Sequence, residues 1–366
     1  MYGNNLFEQA LTIEEQYMYR CLQLARAGAG YVAPNPMVGA VLVHHNRIIG
    51  EGYHRQYGMP HAEVNCIASV KNENRHLISE SVLYVSLEPC AHYGKTPPCA
   101  ELIIEHRIPK VVVGCRDPFP EVNGKGIERL LAEGITVVTG VLEKACRELN
   151  KRFFTFHTQR RPFIALKWAQ SRDGAIAAPG GSAVQISNAY TNRLVHRWRS
   201  EEAAILAGTR TAMLDNPSLT TRLWPGQHPV RLVIDRELKL PGTLQLFDAK
   251  APTIIFNERR DTMLGGDRIL GGNWFYRVSD DVSIVQQVVN ALYELRIQSV
   301  LVEGGAQILQ SFINENKWDE ARIITNEALG IPGGIKAPEL IHAIQTGEEH
   351  FFSDRVAYYI PSLLRI

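Results

Sequence analysis

Short runs of β-branched residues alternate with helical stretches along this chain. The first half contains four such runs, VGAVLV (38–43), SVLYVSL (81–87), KVVVGC (110–115) and ITVV (135–138). The segments between them, including 12–28, 62–71 and 98–106, have helical patterns. Strands that alternate with helices are typical of α/β proteins, so this spacing predicts an α/β fold.

The same alternation resumes after a break. The second half contains the runs FIALKWA (163–169), AAILAG (203–208), VRLVID (230–235), PTIIFN (252–257), SVLVEG (299–304) and ARIIT (321–325). An aromatic run and the basic Arg160-Arg161-Pro162 separate the halves, and 366 residues is a length for two domains. We therefore predict domains at 1–155 and 156–366, with surface loops in the Gly-rich segment 240–280.

The charge balance limits the partners that this chain can have. Its 39 Lys and Arg against 38 Asp and Glu give a net charge of +1, so no bulk field attracts nucleic acid or an anionic membrane. The N-terminal segment carries acids where a signal peptide carries bases, and no window approaches the ~18–20 apolar residues of a membrane span. Six cysteines are too few for a disulfide framework. These features predict a cytoplasmic protein without nucleic-acid or membrane partners.

One histidine and two cysteines have the character of a metal site. His61 opens a helical segment, Cys90 follows a strand, and Cys99 follows Pro97-Pro98 at a predicted helix start. One imidazole and two thiolates suit Zn²⁺ and leave a fourth position for water, as in catalytic zinc sites. The other four cysteines lie in apolar patterns and are predicted to pack as small hydrophobic residues.

Glu63 lies two positions after His61, where a carboxylate can move protons to and from a zinc-bound water. His-x-Glu followed by Pro-Cys-x-x-Cys is the signature of zinc nucleobase deaminases. Here eight residues instead of two lie between the cysteines, and this insertion carries His92 and Lys95, which predicts a loop that contacts a phosphorylated substrate. Each signal alone also fits a chance match or two core cysteines; their order and context favour the zinc site.

The second half lacks a Gly-x-Gly-x-x-Gly fingerprint, which argues against a Rossmann domain. It has instead two junctions between a strand and a turn, at Gly208-Thr209-Arg210-Thr211 and at Gly304-Gly305-Ala306. The second opens a predicted helix, whose first amides can hold a cofactor phosphate. Taken alone, this junction fits a plain turn between strand and helix equally well.

These motifs together resemble the bifunctional deaminase/reductase family of riboflavin biosynthesis. The matching elements of the first half are Asn35-Pro36-Met37-Val38-Gly39, Gly52-Tyr53-His54, His61-Ala62-Glu63 and the long segment from Leu87 to Cys99. That long segment separates the family from cytidine, guanine and tRNA-adenosine deaminases, which use the short Cys-x-x-Cys. The resemblance extends from about residue 14 to about residue 325.

For the first half, the resemblance implies a cytidine-deaminase-like α/β/α domain. His61, Cys90 and Cys99 would bind zinc, and Glu63 would transfer protons. The pyrimidine or its ribose phosphate would be held by Asn35, His54, His92 and Lys95. Asn35 also fits a simple turn position before Pro36.

For the second half, the resemblance implies a dihydrofolate-reductase-like α/β domain that uses NADPH. Lys167 and Asp215 would be catalytic. Cofactor contacts are implied for Gln170, Gln185, Thr211, Asp215 and Gly305. Substrate contacts are implied for Ser182, Arg199, Leu219, Arg222 and Glu303. Arginine forks match the geometry of a ribose phosphate.

The implied activity is the deamination of a diaminopyrimidinone ribosylamine phosphate, followed by NADPH reduction of its ribosyl group, in a homo-oligomer. Three alternatives stay open. Gln185 stands where the family often has Trp, and Gln cannot stack on a ring, so the chain could be a deaminase with an impaired reductase half. A nucleic-acid-editing deaminase would need a basic, aromatic groove. A structural zinc scaffold would normally close the fourth ligand position with protein.

Overall fold

The computed structural model describes residues 11–91, 97–262 and 272–362. The chain divides into two compact units, Met1–Gln159 and Arg160–Ile366. Each unit contains its own sheet and helices, and each is described separately below.

The first unit alternates strands and helices in the predicted order. Its helices are α1 (Ile13–Arg26), α2 (Ala62–Ala68), α3 (Cys99–Glu105), α4 (Lys125–Ala132), α5 (Glu143–Leu149) and α6 (Lys151–Gln159), with a 3₁₀ helix at Asn72–Glu80. Its strands are β1 (Gly39–His44), β2 (Arg47–Tyr53), β3 (Val82–Leu87), β4 (Lys110–Cys115) and β5 (Thr136–Thr139).

These five strands form one sheet in the order β2-β1-β3-β4-β5. Strand β1 runs antiparallel to β2 and β3, while β3, β4 and β5 are parallel. The sequence patterns predicted no strand at β2. His45 and Asn46, both with positive φ, form the two-residue connection that folds β2 back onto β1.

Helices cover both faces of this sheet. One apolar cluster packs α2, α3 and α4 against it, and the other packs α1, α5 and α6. The four cysteines outside the candidate metal site are buried in these clusters, which confirms their predicted packing role: Cys21, Cys66, Cys115 and Cys146.

Helix α6 lies where the domain boundary was predicted. Phe153 and Phe154 are buried against the first sheet, so these residues belong to the first unit. The aromatic run is therefore one face of a helix, and residue 155 falls inside that helix.

The second unit is built around a larger sheet. Its strands are β6 (Phe163–Ser171), β7 (Ala175–Ala177), β8 (Ala204–Gly208), β9 (Val230–Ile234), β10 (Thr253–Asn257), β11 (Asn273–Arg277), β12 (Ser299–Val302), β13 (Glu320–Asn326), β14 (Ile335–Lys336), β15 (Ala343–Phe351) and β16 (Asp354–Pro361). Its helices are α7 (Ala189–Glu201), α8 (Thr209–Asp215), α9 (Ile284–Glu294) and α10 (Ala306–Asn314), with 3₁₀ helices at Pro179–Gly181 and Gln245–Phe247.

Nine of the described strands form one sheet in the order β11-β10-β9-β8-β12-β6-β13-β16-β15. The first seven are parallel, and β16 and β15 continue the sheet antiparallel. The carboxyl ends of the parallel strands therefore lie along one edge, where α/β proteins bind ligands. Strand β10 confirms the predicted run 252–257, whereas β11 also lies in segment 240–280, so the prediction of surface loops was wrong for β11.

Within the described ranges, no helix is both long enough and apolar enough to cross a membrane.

Candidate active sites

The first candidate site lies where the three predicted metal ligands meet. His61 is the residue that precedes α2, Cys90 follows β3, and Cys99 is the first residue of α3. The three side chains come together because the end of β3 and the starts of α2 and α3 lie next to one another. The structure confirms that these residues form one cluster.

The spacing of the donor atoms fits a tetrahedral zinc ion. His61 Nδ1 lies 3.6 Å from Cys90 Sγ and 3.3 Å from Cys99 Sγ, and all three donors lie within 4.8 Å of one another. Ligands about 2.0–2.3 Å from a tetrahedral zinc ion are about 3.6 Å apart. The backbone amide of Cys99 also donates to Cys90 Sγ at 3.3 Å, which favours the thiolate.

Glu63 lies in the first turn of α2, two residues after His61, and is 3% exposed. Burial raises the pKa of its carboxyl to about 6. A carboxylate with this pKa can both accept and release a proton near neutral pH. The geometry therefore places a titratable carboxyl beside the candidate metal site.

The buried His54 and the half-buried Asn35 form a pair close to this site. The His54 ring lies edge-on to the His61 ring, with 5.5 Å between centroids. Its Nδ1 lies 3.1 Å from the carbonyl oxygen of Pro60, which can only accept, and burial lowers the pKa of His54. The neutral ring therefore accepts at Nε2 from Asn35 Nδ2, at 3.1 Å, and leaves the Asn35 carbonyl oxygen available. The other two predicted contacts, His92 and Lys95, lie outside the described residues.

Asn150 is a residue whose role the sequence did not reveal. Its Oδ1 accepts from the Met37 amide and its Nδ2 donates to the Met37 carbonyl, both at 2.8 Å. These two bonds fix the backbone just after Asn35. The sequence separation of 113 residues gives no local pattern by which to find them.

Glu88 is a second positioning residue, seen in the sequence only as part of the motif before Cys90. Its buried carboxylate accepts four backbone N–H bonds, at 2.9–3.2 Å, from Asp117, Gly124, Gly126 and Ile127. A Cβ at Gly126 would collide with the carbonyl oxygen of Pro89, so this close approach requires glycine. Glu88 thus ties the segment that carries Cys90 to the start of α4.

Replacing Glu88 by Gln is expected to destabilise the first unit by about 3 kcal/mol, because an amide NH₂ would face two N–H donors. Urea unfolding followed by far-UV circular dichroism measures the change. Tryptophan fluorescence serves as an internal control, because all five tryptophans lie in the second unit, at 168, 198, 224, 274 and 318. The exposed neighbour Glu121→Gln should unfold like the wild type; equal stability of both variants would contradict the role of Glu88.

The second candidate site centres on a buried charge cluster. Glu303, directly after β12, accepts two bonds from the Arg199 guanidinium, at 2.8 and 2.6 Å. Lys167 Nζ, on β6, lies 3.9 Å from Glu303 Oε2. Burial opposes ionisation of Glu303, but Arg199 and Lys167 outweigh it and hold the pKa of that carboxyl at about 2. Burial lowers the pKa of Lys167, and Glu303 offsets part of this effect.

The turn after Glu303 consists of two glycines and leads into a helix. Gly305 has φ +67°, and a Cβ there would lie 3.3 Å from Thr211 Oγ1, so the two residues are adjacent. A Cβ at Gly304 would lie 2.8 Å from the Cα of Ala207, so this turn packs tightly against β8. Helix α10 begins at Ala306, directly after Gly305, and directs its first amides to this turn.

The other predicted residues of this half have varied surroundings. Gln170 accepts from Trp168 Nε1 at 2.8 Å, and exposed Gln185 donates to the Ser187 carbonyl at 2.6 Å. Ser182 is exposed and Leu219 is buried. Asp215 is exposed at the end of α8. Among the residues that the structure describes, no hydrogen bond or ion pair joins Asp215 to the cluster of Lys167, Arg199 and Glu303.

Comparisons with known protein families assign each unit to a class. Residues 11–115 match the cytidine and deoxycytidylate deaminase zinc-binding region, and residues 162–341 match the RibD C-terminal domain. The fold and the two sites therefore define a two-domain enzyme, with a deaminase unit of the zinc-binding type followed by a reductase unit.

Full-length relatives give the family. The riboflavin biosynthesis protein RibD of Aquifex aeolicus is 40% identical over 84% of this chain and 85% of its own length, and that of Bacillus amyloliquefaciens is 42% identical over 90% and 88%. A solved Thermotoga maritima structure, described as a diaminohydroxyphosphoribosylaminopyrimidine deaminase/5-amino-6-(5-phosphoribosylamino)uracil reductase, is 36% identical with a TM-score of 0.84, over 95% of this chain and 99% of that one. The chain belongs to the RibD family of bifunctional deaminase/reductases in riboflavin biosynthesis, which confirms the predicted family and fold class.

Proposed function

We propose that this chain removes an amino group from a diaminopyrimidinone ribosylamine phosphate and then reduces the ribosyl group of the product with NADPH. The observation that carries the proposal is the pairing of Glu63 with the cluster of His61, Cys90 and Cys99. The buried cluster of Lys167, Arg199 and Glu303 on the same chain supports the second step. Zinc and NADPH are the cofactors that we propose.

In the first reaction, the protein side chains position the ring and move protons. A bound zinc ion would lower the pKa of a coordinated water and so supply the nucleophile. Glu63 takes one proton from the attacking water and returns it to the amino group as the carbon–nitrogen bond breaks. Ammonia leaves and a ring carbonyl remains. The carbonyl oxygen of Asn35, fixed by His54, accepts a hydrogen bond from the ring; contacts from His92 and Lys95 stay predictions.

In the second reaction, the charged cluster holds the sugar. Bound NADPH would supply a hydride to C1 of the ribosyl group. The bond between C1 and the ring oxygen breaks, and that oxygen takes a proton from solvent, which leaves the open ribityl chain. Lys167 presents its ammonium to the reacting sugar, and Glu303 with Arg199 fixes that ammonium in place. Thr211 and the Gly305 turn support the cofactor phosphate. Arg222 binds the phosphate of the substrate.

A deaminase with an impaired reductase half is the second candidate. Gln185 favours it, because this exposed amide folds onto Ser187 and offers no ring for stacking. The intact cluster of Lys167, Arg199 and Glu303 favours the bifunctional enzyme. The free state of all six cysteines suits the reducing cytoplasm, where we place the reaction. The homo-oligomer stays a prediction.

Removing zinc should separate the two activities. Dialysis against a strong chelator is expected to abolish ammonia release, because the nucleophile is no longer activated, while reduction of the deaminated product continues. Ammonia release is followed by a coupled enzymatic assay and NADPH oxidation by absorbance, before and after zinc is restored. Full deaminase activity in a protein shown to be metal-free would rule out the proposed zinc dependence.

A further inference from the structure

His196 is a buried histidine in the reductase unit for which neither proposed reaction has a role. It lies on α7 three residues before Arg199, so the two side chains share one face of the helix. His196 is 2% exposed. Its surroundings therefore include the charged cluster already described.

His196 makes a defined hydrogen bond to the substrate loop, residues 216–222. Its Nδ1 accepts from the backbone amide of Arg222 at 3.0 Å. The ring therefore carries its proton on Nε2. Burial, with the cations Arg199, Arg222 and Lys167 nearby, lowers the pKa of His196 to about 4, although Glu303 acts in the opposite direction. The acceptor at Nδ1 is thus available throughout the neutral range.

A second bond from the same helix holds this loop. Arg199 Nη1 donates to the carbonyl oxygen of Thr220 at 3.4 Å, two residues before Arg222. The Arg222 side chain itself donates to Thr220 Oγ1 at 3.3 Å. The substrate loop has no helix or strand of its own. Its first part is held by other elements, because Asn216 Oδ1 accepts from the Gln245 amide and the Ser218 carbonyl accepts from Arg231. Its Arg222 end is held by the two bonds to α7.

We propose that His196 is a positioning residue for reduction, which fixes the backbone of Arg222 so that its guanidinium meets the substrate phosphate. The inference rests on the proposed role of Arg222. In this role His196 acts through the backbone of the loop, so its loss should weaken substrate binding and leave the chemical step largely intact. Loss of the bond leaves the Arg222 amide without this partner and the loop backbone less firmly held, which predicts an increase in KM of about tenfold.

Three substitutions at this position distinguish the bond from general packing. Asn places its carbonyl oxygen near the position of Nδ1 and can replace the bond, whereas Gln extends beyond it and Leu offers no acceptor. Val195→Ala is the matched control. Val195 is the buried neighbour of His196 on α7, and its substitution loosens the packing of the helix without touching the loop. Energy transfer from tryptophan to NADPH, together with thermal unfolding, shows that each variant has a folded reductase unit.

The full-length variants are compared by the KM and kcat of NADPH oxidation with the deaminated product, with ammonia release as the internal control. Limited trypsin digestion adds a readout that is independent of catalysis, because cleavage after the exposed Arg222 reports how firmly the loop is held.

We expect His196→Leu and His196→Gln to raise KM about tenfold, with kcat changed less than about twofold, and to accelerate cleavage after Arg222. His196→Asn and Val195→Ala should keep wild-type values. Wild-type KM and cleavage in His196→Leu, or equal losses in His196→Asn and His196→Gln, would overturn the inference. A wild-type protein that does not oxidise NADPH with this product would instead refute the proposed reductase function, and the inference with it.

Discussion

Substituting Glu63 by Gln is expected to slow ammonia release by about 10³-fold, because general acid–base catalysis by a positioned carboxylate contributes about 10²–10⁴-fold. Gln keeps the size of the side chain but cannot accept and return a proton. The rate is measured by a coupled ammonia assay on the purified, zinc-loaded protein. NADPH oxidation with the deaminated product should proceed at the wild-type rate, because the reductase unit is unchanged.

Two controls make this result specific to Glu63. Zinc content, measured by atomic absorption, should stay at the wild-type value, since Glu63 is not among the clustered metal ligands. Glu105→Gln removes an exposed carboxylate from α3 in the same unit and should retain full activity. A Glu63→Gln protein that released ammonia within about twofold of the wild-type rate would show that another group moves the protons.

Substituting Lys167 by Met is expected to slow NADPH oxidation by at least about 10²-fold, because a preorganised charge is removed from the place where charge develops in the reaction. Glu303 stays paired with Arg199, so the unit should still fold. Oxidation of NADPH is followed by absorbance with the deaminated product at saturating concentration.

Lys239→Met is the matched control for Lys167, because its side chain is 63% exposed in the same unit and belongs to neither site. This variant should oxidise NADPH at the wild-type rate. Both proteins should release ammonia normally. If Lys167→Met also kept the wild-type rate of oxidation, the buried cluster would have no part in reduction.

The candidate metal site could be predicted because its signals are local. The signal consists of two pairs that are each close in sequence, His61 with Glu63 and Cys90 with Cys99. Each pair lies at the start of a helix, α2 for the first and α3 for the second. The strand runs of both halves were equally clear, because buried parallel strands form continuous β-branched stretches. The order of strands in each sheet was not predicted, since it depends on contacts between distant segments.

The positioning residues could not be predicted for the same reason. Glu88 accepts bonds from residues 29–39 positions away, and Asn150 binds Met37 across 113 positions. His196 had one usable signal, its spacing of three residues from Arg199, which places both on one face of a helix. Its partner in the substrate loop is visible only in the fold.

Two elements near local signals were not predicted. The domain boundary was predicted at the aromatic run before residue 160, and the structure shows a helix there, α6, which buries Phe153 and Phe154. The strand β2 has polar residues at both ends and glycines inside, so its pattern was weak. His45 and Asn46, which both have positive φ, form the two-residue turn of this hairpin, and that turn was not recognised from the sequence.

The most direct test of the central claim supplies the wild-type protein with the diaminopyrimidinone ribosylamine phosphate, zinc and NADPH in one cuvette. We predict that ammonia appears first and that NADPH oxidation follows, with one NADPH consumed for each ammonia released. Ammonia without oxidation would contradict the bifunctional account and indicate a reductase half impaired around Gln185. If a zinc-loaded protein gave neither ammonia nor NADPH oxidation, the proposed substrate itself would be contradicted.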